Sequence, residues 1–175
     1  MRSCTPFILA ALALGACAPA LAQQAAAPVV APKTAALKGA GGADAGSVTL
    51  TAAPTGVLLR IEVKGLTPGW HGVHLHEKGD CSAADFTSAG AHMNHATAKK
   101  PHGLLNPQGP DFGDLPNIHV GADGTGKAEL FTSLTTMAAM TDADGSAVVV
   151  DANADDHTAQ PIGGAGGRLG CAVVK

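Results

Sequence analysis

Aromatic side chains are scarce, at 3% of the 175 residues, with four Phe, one Trp and no Tyr. Charge is sparse too, at 14%, and neither sign gathers into a stripe. With Arg2 set aside, ten basic residues face fourteen acidic ones. A chain without stacking aromatics or a basic patch lacks the footprint of nucleic-acid binding, so nucleic acid is not an expected partner. No ordinary membrane-spanning helix is expected either, because the apolar run from Phe7 to Ala16 falls short of the roughly 20 residues such a helix needs. A sustained helical period is also missing, which excludes a helical bundle.

The N-terminal 22 residues have the order of an export signal: Arg2, the apolar run, then small residues at Ala20 and Ala22. Two processing sites overlap. Leu14-Gly15-Ala16-Cys17 resembles a bacterial lipoprotein box, with a signal ending at residue 16 and a lipid anchor at Cys17, whereas Ala20-Leu21-Ala22 fits ordinary cleavage before Gln23. Both remain open, and both lead to the periplasm. Residues 23–44, rich in Ala, Pro and Gln, read as a disordered linker or tether, and residues 45–175 as one domain with one core.

Of four cysteines, Cys4 and Cys17 belong to the leader, which leaves Cys81 and Cys171. In an oxidising compartment this pair should form one disulfide, with two unrelated thiols as the alternative. Closing a loop of that length stabilises a fold by roughly 4 kcal/mol in the chain-entropy model.

Val57, Leu59, Ile61 and Val63 alternate with Leu58, Arg60 and Glu62, the pattern of a half-buried strand. Similar segments lie at 47–51, 70–76, 117–120, 128–132, 147–150 and 170–174, punctuated by Gly, Pro, Asp and Asn. Seven or eight short strands predict an all-β sandwich or barrel. Residues 77–115 and 152–169 carry no regular pattern. Loops of that length inside a compact domain need something to order them, and both contain a cysteine or lead to one.

The first chemical signal is Trp70-His71-Gly72-Val73-His74-Leu75-His76. A period of two turns Val73 and Leu75 to one face and Gly72, His74 and His76 to the other. Two imidazoles projecting together from a rigid strand suit copper or zinc, and a pair of surface histidines is the plain alternative.

The wider set of motifs decides between them. Gly69 to Cys81, Gly90-Ala91-His92-Met93-Asn94, Pro101-His102-Gly103, Gly113-Asp114-Leu115-Pro116-Asn117 and Gly163 to Cys171 closely resemble the copper/zinc superoxide dismutases, in particular the bacterial periplasmic branch, over about residues 45–174. The resemblance implies an eight-stranded Greek-key β-barrel or sandwich with two long loops, and dismutation of superoxide to dioxygen and hydrogen peroxide. It implies copper on His74, His76 and His92, zinc on His92, His102 and Asp114, with His92 bridging, and Arg168 as the residue that attracts and orients superoxide. It also implies the Cys81–Cys171 disulfide and places Asp155 as the outer partner of histidines in both sites, with His71 supporting the loop. Lys78 and the Lys99-Lys100 pair are candidate outer contributors to an electrostatic funnel.

Two positions depart from the family pattern. Asp111, in Pro110-Asp111-Phe112-Gly113-Asp114, stands where a third zinc histidine is usual, and zinc accepts carboxylate oxygen. Asp151, after Val148-Val149-Val150, stands where the last copper histidine is usual. As a fourth copper ligand it would favour the oxidised metal, because carboxylate is a harder donor than imidazole. That opens an alternative, a non-catalytic copper- or zinc-binding member of the fold. His95 and His157 are candidates to replace the missing imidazole, against the simpler reading of loop histidines in solvent, and His119 is expected on a strand surface. Monomer and homodimer are both compatible with the sequence.

Overall fold

The computed structural model describes residues 30–94, 96, 97 and 99–175. The leader, the Cys17 anchor site and His95 lie outside the described residues. Nine strands occur among those described: β1 (Lys33–Gly39), β2 (Asp44–Ala53), β3 (Gly56–Val63), β4 (Gly69–His71), β5 (Val73–His76), β6 (Ile118–Val120), β7 (Gly126–Thr132), β8 (Ser146–Asp151) and β9 (Arg168–Val174). One four-residue helix, α1 (Met137–Met140), precedes β8 and is capped by the Thr136 side chain accepting from the Ala139 N–H.

Seven strands form one curled antiparallel sheet in the order β5-β8-β9-β1-β2-β3-β7, and β4 pairs with β6 in a second, two-stranded sheet. One expectation is corrected. Residues 33–39, assigned to a disordered linker, form β1, which pairs with β2 along its length and with β9 through Lys38 and Gly39. Leu37, fully buried, anchors it. The segment expected as one strand over 70–76 is divided into β4 and β5, and with β1 this brings the seven expected segments to nine strands in the all-β architecture the sequence predicts. The break falls at Gly72, whose N–H donates to the Asn153 carbonyl and whose carbonyl accepts from Asp151.

The main core is aliphatic. Leu50, Val57, Leu59, Ile61, Val73, Leu75, Val148 and Val150 are all fully buried. At about 1.5–3 kcal/mol for each such side chain removed from water, this set dominates the stabilisation. The valine run in β8 is buried on both faces. Val148 and Val150 enter the main core, while Ala147 and Val149 meet Phe86, Ala89 and Cys171 under the loop that follows β5. The Cys81–Cys171 disulfide, 90 residues apart in sequence, staples that loop to β9. The continuous Val148–Val150 run is thus a strand covered on one side by sheet and on the other by a cross-linked loop.

Candidate metal centre

β5 organises the site. One edge pairs with β8 in the register Val73↔Val150 and His74↔Val149. On its other edge, Leu75 donates to the Gly113 carbonyl at 2.9 Å and accepts from the Met93 N–H at 2.7 Å. Val73 and Leu75 go to the core, as their alternation predicts, and the loop residues His92 and Asp114 are carried to the opposite face beside His74 and His76. Single donor atoms of His74, His92, His102 and Asp114 lie within 4.8 Å of one another. His74 stacks on His92 with ring centroids 4.1 Å apart.

The carboxylates on one side are aimed by backbone. Asp114 Oδ2 accepts the Gly103 and Asp111 N–H groups at 2.7 and 2.9 Å, and Asp111 Oδ1 accepts the Gly113 N–H at 2.9 Å. Each residue therefore spends one oxygen on the loop and turns the other inward. Asp111 Oδ2 lies 3.1 Å from His92 Nδ1, and Asp114 Oδ1 lies 2.5 Å from His102 Nδ1 and 3.7 Å from His92 Nδ1. His102 Nδ1 and Asp114 Oδ1 are buried and have no hydrogen-bond partner. Buried polar atoms left without partners are costly, and these two face each other as a cation's ligands would. Zinc in a tetrahedral site separates its donors by about 3.3 Å, within the span of these distances. The residues fit zinc.

The other half uses different devices. His76 Nδ1 donates to the Gly90 carbonyl at 3.0 Å, which leaves Nε2 free to act as a ligand. Asp151, at the end of β8, lies with Oδ2 2.8 Å from His74 Nδ1. His74 thus stands between Asp151 and the stacked ring of His92, and His76 lies edge-on to His92 with ring centroids 5.1 Å apart; imidazoles with one carboxylate are donors that suit copper.

Asp155 links the halves. Its Oδ2 lies 3.0 Å from His74 Nε2 and its Oδ1 3.1 Å from His102 Nε2. An ionised carboxylate only accepts, so both Nε2 atoms carry hydrogen and both Nδ1 atoms face the metal side. Burial alone would push the His74 pKa down, yet its bonds to Asp151 and Asp155 outweigh this and raise it to about 9. His102 is raised to about 10 in the same way by Asp114 and Asp155. Burial works against ionisation of Asp155 as well, and the two histidines still hold it well below the usual carboxylate range. His76 goes the other way, to about 3, through burial and the positive charges of His92 and Arg168.

Arg168, at the start of β9, donates to the Phe86 carbonyl at 2.5 Å and to the Gly90 carbonyl at 2.7 Å. It lines an open cavity of about 750 Å³ with His92, His102, Lys78, Lys99 and Lys100. The sequence-predicted cation set thus shares one opening with the imidazoles. His71 is buried against the Asp151 and Thr67 carbonyls at 2.6 and 2.7 Å. His119 is exposed on β6, edge-on to Trp70.

A family model described as copper/zinc superoxide dismutase matches residues 44–174. The chain belongs to the copper/zinc superoxide dismutase family. Within it, a Caulobacter vibrioides protein named superoxide dismutase [Cu-Zn] is 57% identical over 148 residues, covering 81% of this chain and 84% of that one. Among solved structures, a SOD-like protein from Bacillus subtilis superposes with a TM-score of 0.73 at 33% identity, covering 81% and 97% of the two chains. The Cu/Zn superoxide dismutase from Brucella abortus gives 0.69 at 27% identity, covering 83% and 100%.

The His157 ring lies beside Asp155, partly exposed, with Nδ1 3.2 Å from Oδ2. Asn117, quoted only as part of a motif, grips the Asp155 backbone by accepting its N–H at 2.9 Å and donating to its carbonyl at 2.8 Å. Gly163 is the other residue the sequence reading missed. It sits at φ +58°, and a Cβ there would fall 1.6 Å from Asp155 Oδ1. Only the Gly-rich composition of its segment hinted at such a close approach.

Proposed function

We propose that this chain is a superoxide dismutase that converts two superoxide anions and two protons into dioxygen and hydrogen peroxide. It holds copper on His74, His76, His92 and Asp151, and zinc on His92, His102, Asp111 and Asp114. The observation that carries the reading is the buried pair His102 Nδ1 and Asp114 Oδ1, which face each other beside His92 without a regular hydrogen bond, while His92, His102 and Arg168 line one cavity. Copper, when bound, supplies one-electron redox chemistry by alternating between two oxidation states.

The protein's own residues do the rest. Arg168, its guanidinium fixed on two carbonyls, draws the anion inward and orients it, with Lys78, Lys99 and Lys100 extending the positive field outward. Asp155 keeps the His74 and His102 rings in one tautomer. His92 spends Nδ1 on the carboxylate side, next to Asp111, so its Nε2 is the atom that can hold a proton and pass it to peroxide. Export to the periplasm, by free release or through a lipid at Cys17, is part of the proposal and is supported by the Cys81–Cys171 disulfide.

Stopped-flow decay of superoxide tests the reading on purified protein, first stripped by chelator and then reloaded with copper and zinc. Loaded protein should accelerate decay and stripped protein should not. A second reading, metal binding without turnover, is favoured by one feature, the Asp151 carboxylate against His74 Nδ1. It prevails if loaded and stripped samples behave alike.

A further inference from the structure

His102 lies in the loop over 101–116, outside any strand, so no sheet ladder takes up its backbone N–H and carbonyl. A side chain from the other long loop supplies the pairing. The His102 N–H donates to Gln160 Oε1 at 3.1 Å, and Gln160 Nε2 donates to the His102 carbonyl at 2.8 Å. The Gln160 amide thus stands where the peptide of a neighbouring strand would, and it meets both polar backbone groups of one residue. Asn106 Nδ2 adds a second donor to the same carbonyl at 2.9 Å and leaves the N–H to Gln160.

The partners fix which way the amide points. Nε2 carries two hydrogens and faces two carbonyls, that of His102 and, at 3.1 Å, that of Thr158, while Oε1 faces an N–H. Both amide hydrogens are therefore spent. Gln160 is exposed and lines the cavity that holds Arg168, yet it offers an incoming anion no free hydrogen.

The turn that carries Gln160 is built around Asp156, whose Oδ1 accepts the Thr158 and Ala159 N–H groups at 2.8 and 2.7 Å. Gly163 closes it, donating to the Ala159 carbonyl at 2.7 Å and accepting the Asp156 N–H at 2.8 Å. The residue before this turn is Asp155, with Oδ1 3.1 Å from His102 Nε2. One segment thus holds His102 at two points, the backbone through Gln160 and the far edge of the ring through Asp155. Fixed at both, the ring turns Nδ1 toward Asp114 Oδ1.

We infer that Gln160 is a positioning residue of the zinc half: its side-chain amide pairs with the His102 backbone and so sets where the His102 ring presents Nδ1. The inference rests on the metal-centre reading above and deepens it, giving an exposed loop amide that touches no metal the placement of one zinc ligand.

The test compares Gln160→Met with Gln160→Ala. Methionine keeps the length and much of the shape of glutamine without its hydrogen-bonding atoms, and alanine removes both. Three readouts are taken: zinc affinity by chelator competition, copper affinity measured the same way on zinc-free protein, and hydrogen exchange of the His102 N–H in metal-free protein. Both variants should weaken zinc binding by about 10–100-fold, the usual cost of losing an outer partner, and leave copper affinity within about twofold. Exchange of the His102 N–H should quicken by about tenfold or more in both, since its acceptor is gone.

Zinc affinity kept by Gln160→Met and lost by Gln160→Ala would overturn the inference, because packing and not the amide pairing would then place His102. Unchanged zinc affinity in both variants would overturn it too, as would equal falls in zinc and copper affinity, which mark a general loosening of the loop. Failure of the metal-centre reading looks different: the unmodified protein would itself bind neither zinc nor copper tightly.

Discussion

The two halves of the centre share His92 and Asp155 but are assembled differently. On one side, Asp111 and Asp114 each give one oxygen to backbone N–H groups and direct the other inward, so the loop over 101–116 presents a preformed, negatively charged donor set. On the other side, His74, His76 and Asp151 stand on adjacent strands β5 and β8, and the single carboxylate of Asp151 faces His74. In the first half His102 Nδ1 and Asp114 Oδ1 face each other 2.5 Å apart without a regular hydrogen bond, with the second carboxylate of Asp111 beside His92. The second half has an internal partner already, because Asp151 can satisfy His74. Metal affinity is thus expected to be stronger in the carboxylate-rich half, and redox tuning to reside in the strand half.

The largest break in that contrast should come from Asp114→Ala. It removes the inward oxygen and the acceptor of two loop N–H groups together, so zinc affinity should fall by more than the roughly 100-fold typical of outer partners, as read by chelator competition. Next, Cys81→Ser should lower stability by about 2–5 kcal/mol in urea unfolding and loosen the loop that carries Gly90 and His92.

Arg168→Ala should reduce superoxide turnover by about tenfold or more at low ionic strength, with copper content unchanged, since steering acts on substrate encounter. A parallel fall in copper content would contradict the steering role. Asp151→His should raise the midpoint potential of bound copper and increase turnover several-fold, with zinc affinity changed little, because imidazole is the softer donor.

Protonation sharpens the same comparison. His74 and His102, raised to about 9 and 10, both carry an extra proton at pH 7 in the metal-free protein. Metal uptake must displace it, so calorimetry in buffers of different ionisation enthalpy should show proton release and affinity that increases with pH up to about 9–10. The stability contribution of these raised groups is full below the ordinary histidine pKa of about 6.5 and is lost as pH rises through 9 and 10. His76, depressed to about 3, acts oppositely: the unfolded chain binds more protons between about 3 and 6.5, so stability falls as pH drops through that window. The metal-free protein should therefore melt highest near pH 6.5–7.

Much of this was legible in the sequence, for identifiable reasons. The alternation over Val57–Val63 and the His-x-His of β5 are local patterns with one possible burial sense, and both appear as read. The donor order along the chain came through motif resemblance and not from spacing. β1 was hidden because its Ala-rich segment continues the composition of the leader, and only Leu37 and the pairing with β2 and β9 identify it as strand. Asn117 and Gly163 escaped notice, and the place of His157 beside Asp155 was not foreseen, for another reason. Asn117 meets Asp155 across 38 residues, and the other two owe their positions to positive φ angles, which no periodicity reports.

The most direct test of two unlike halves is diffraction from the loaded protein at the copper and zinc absorption edges. The account predicts copper among His74, His76, His92 and Asp151, and zinc among His92, His102, Asp111 and Asp114. Zinc in both positions, or copper in the carboxylate-rich one, would contradict it.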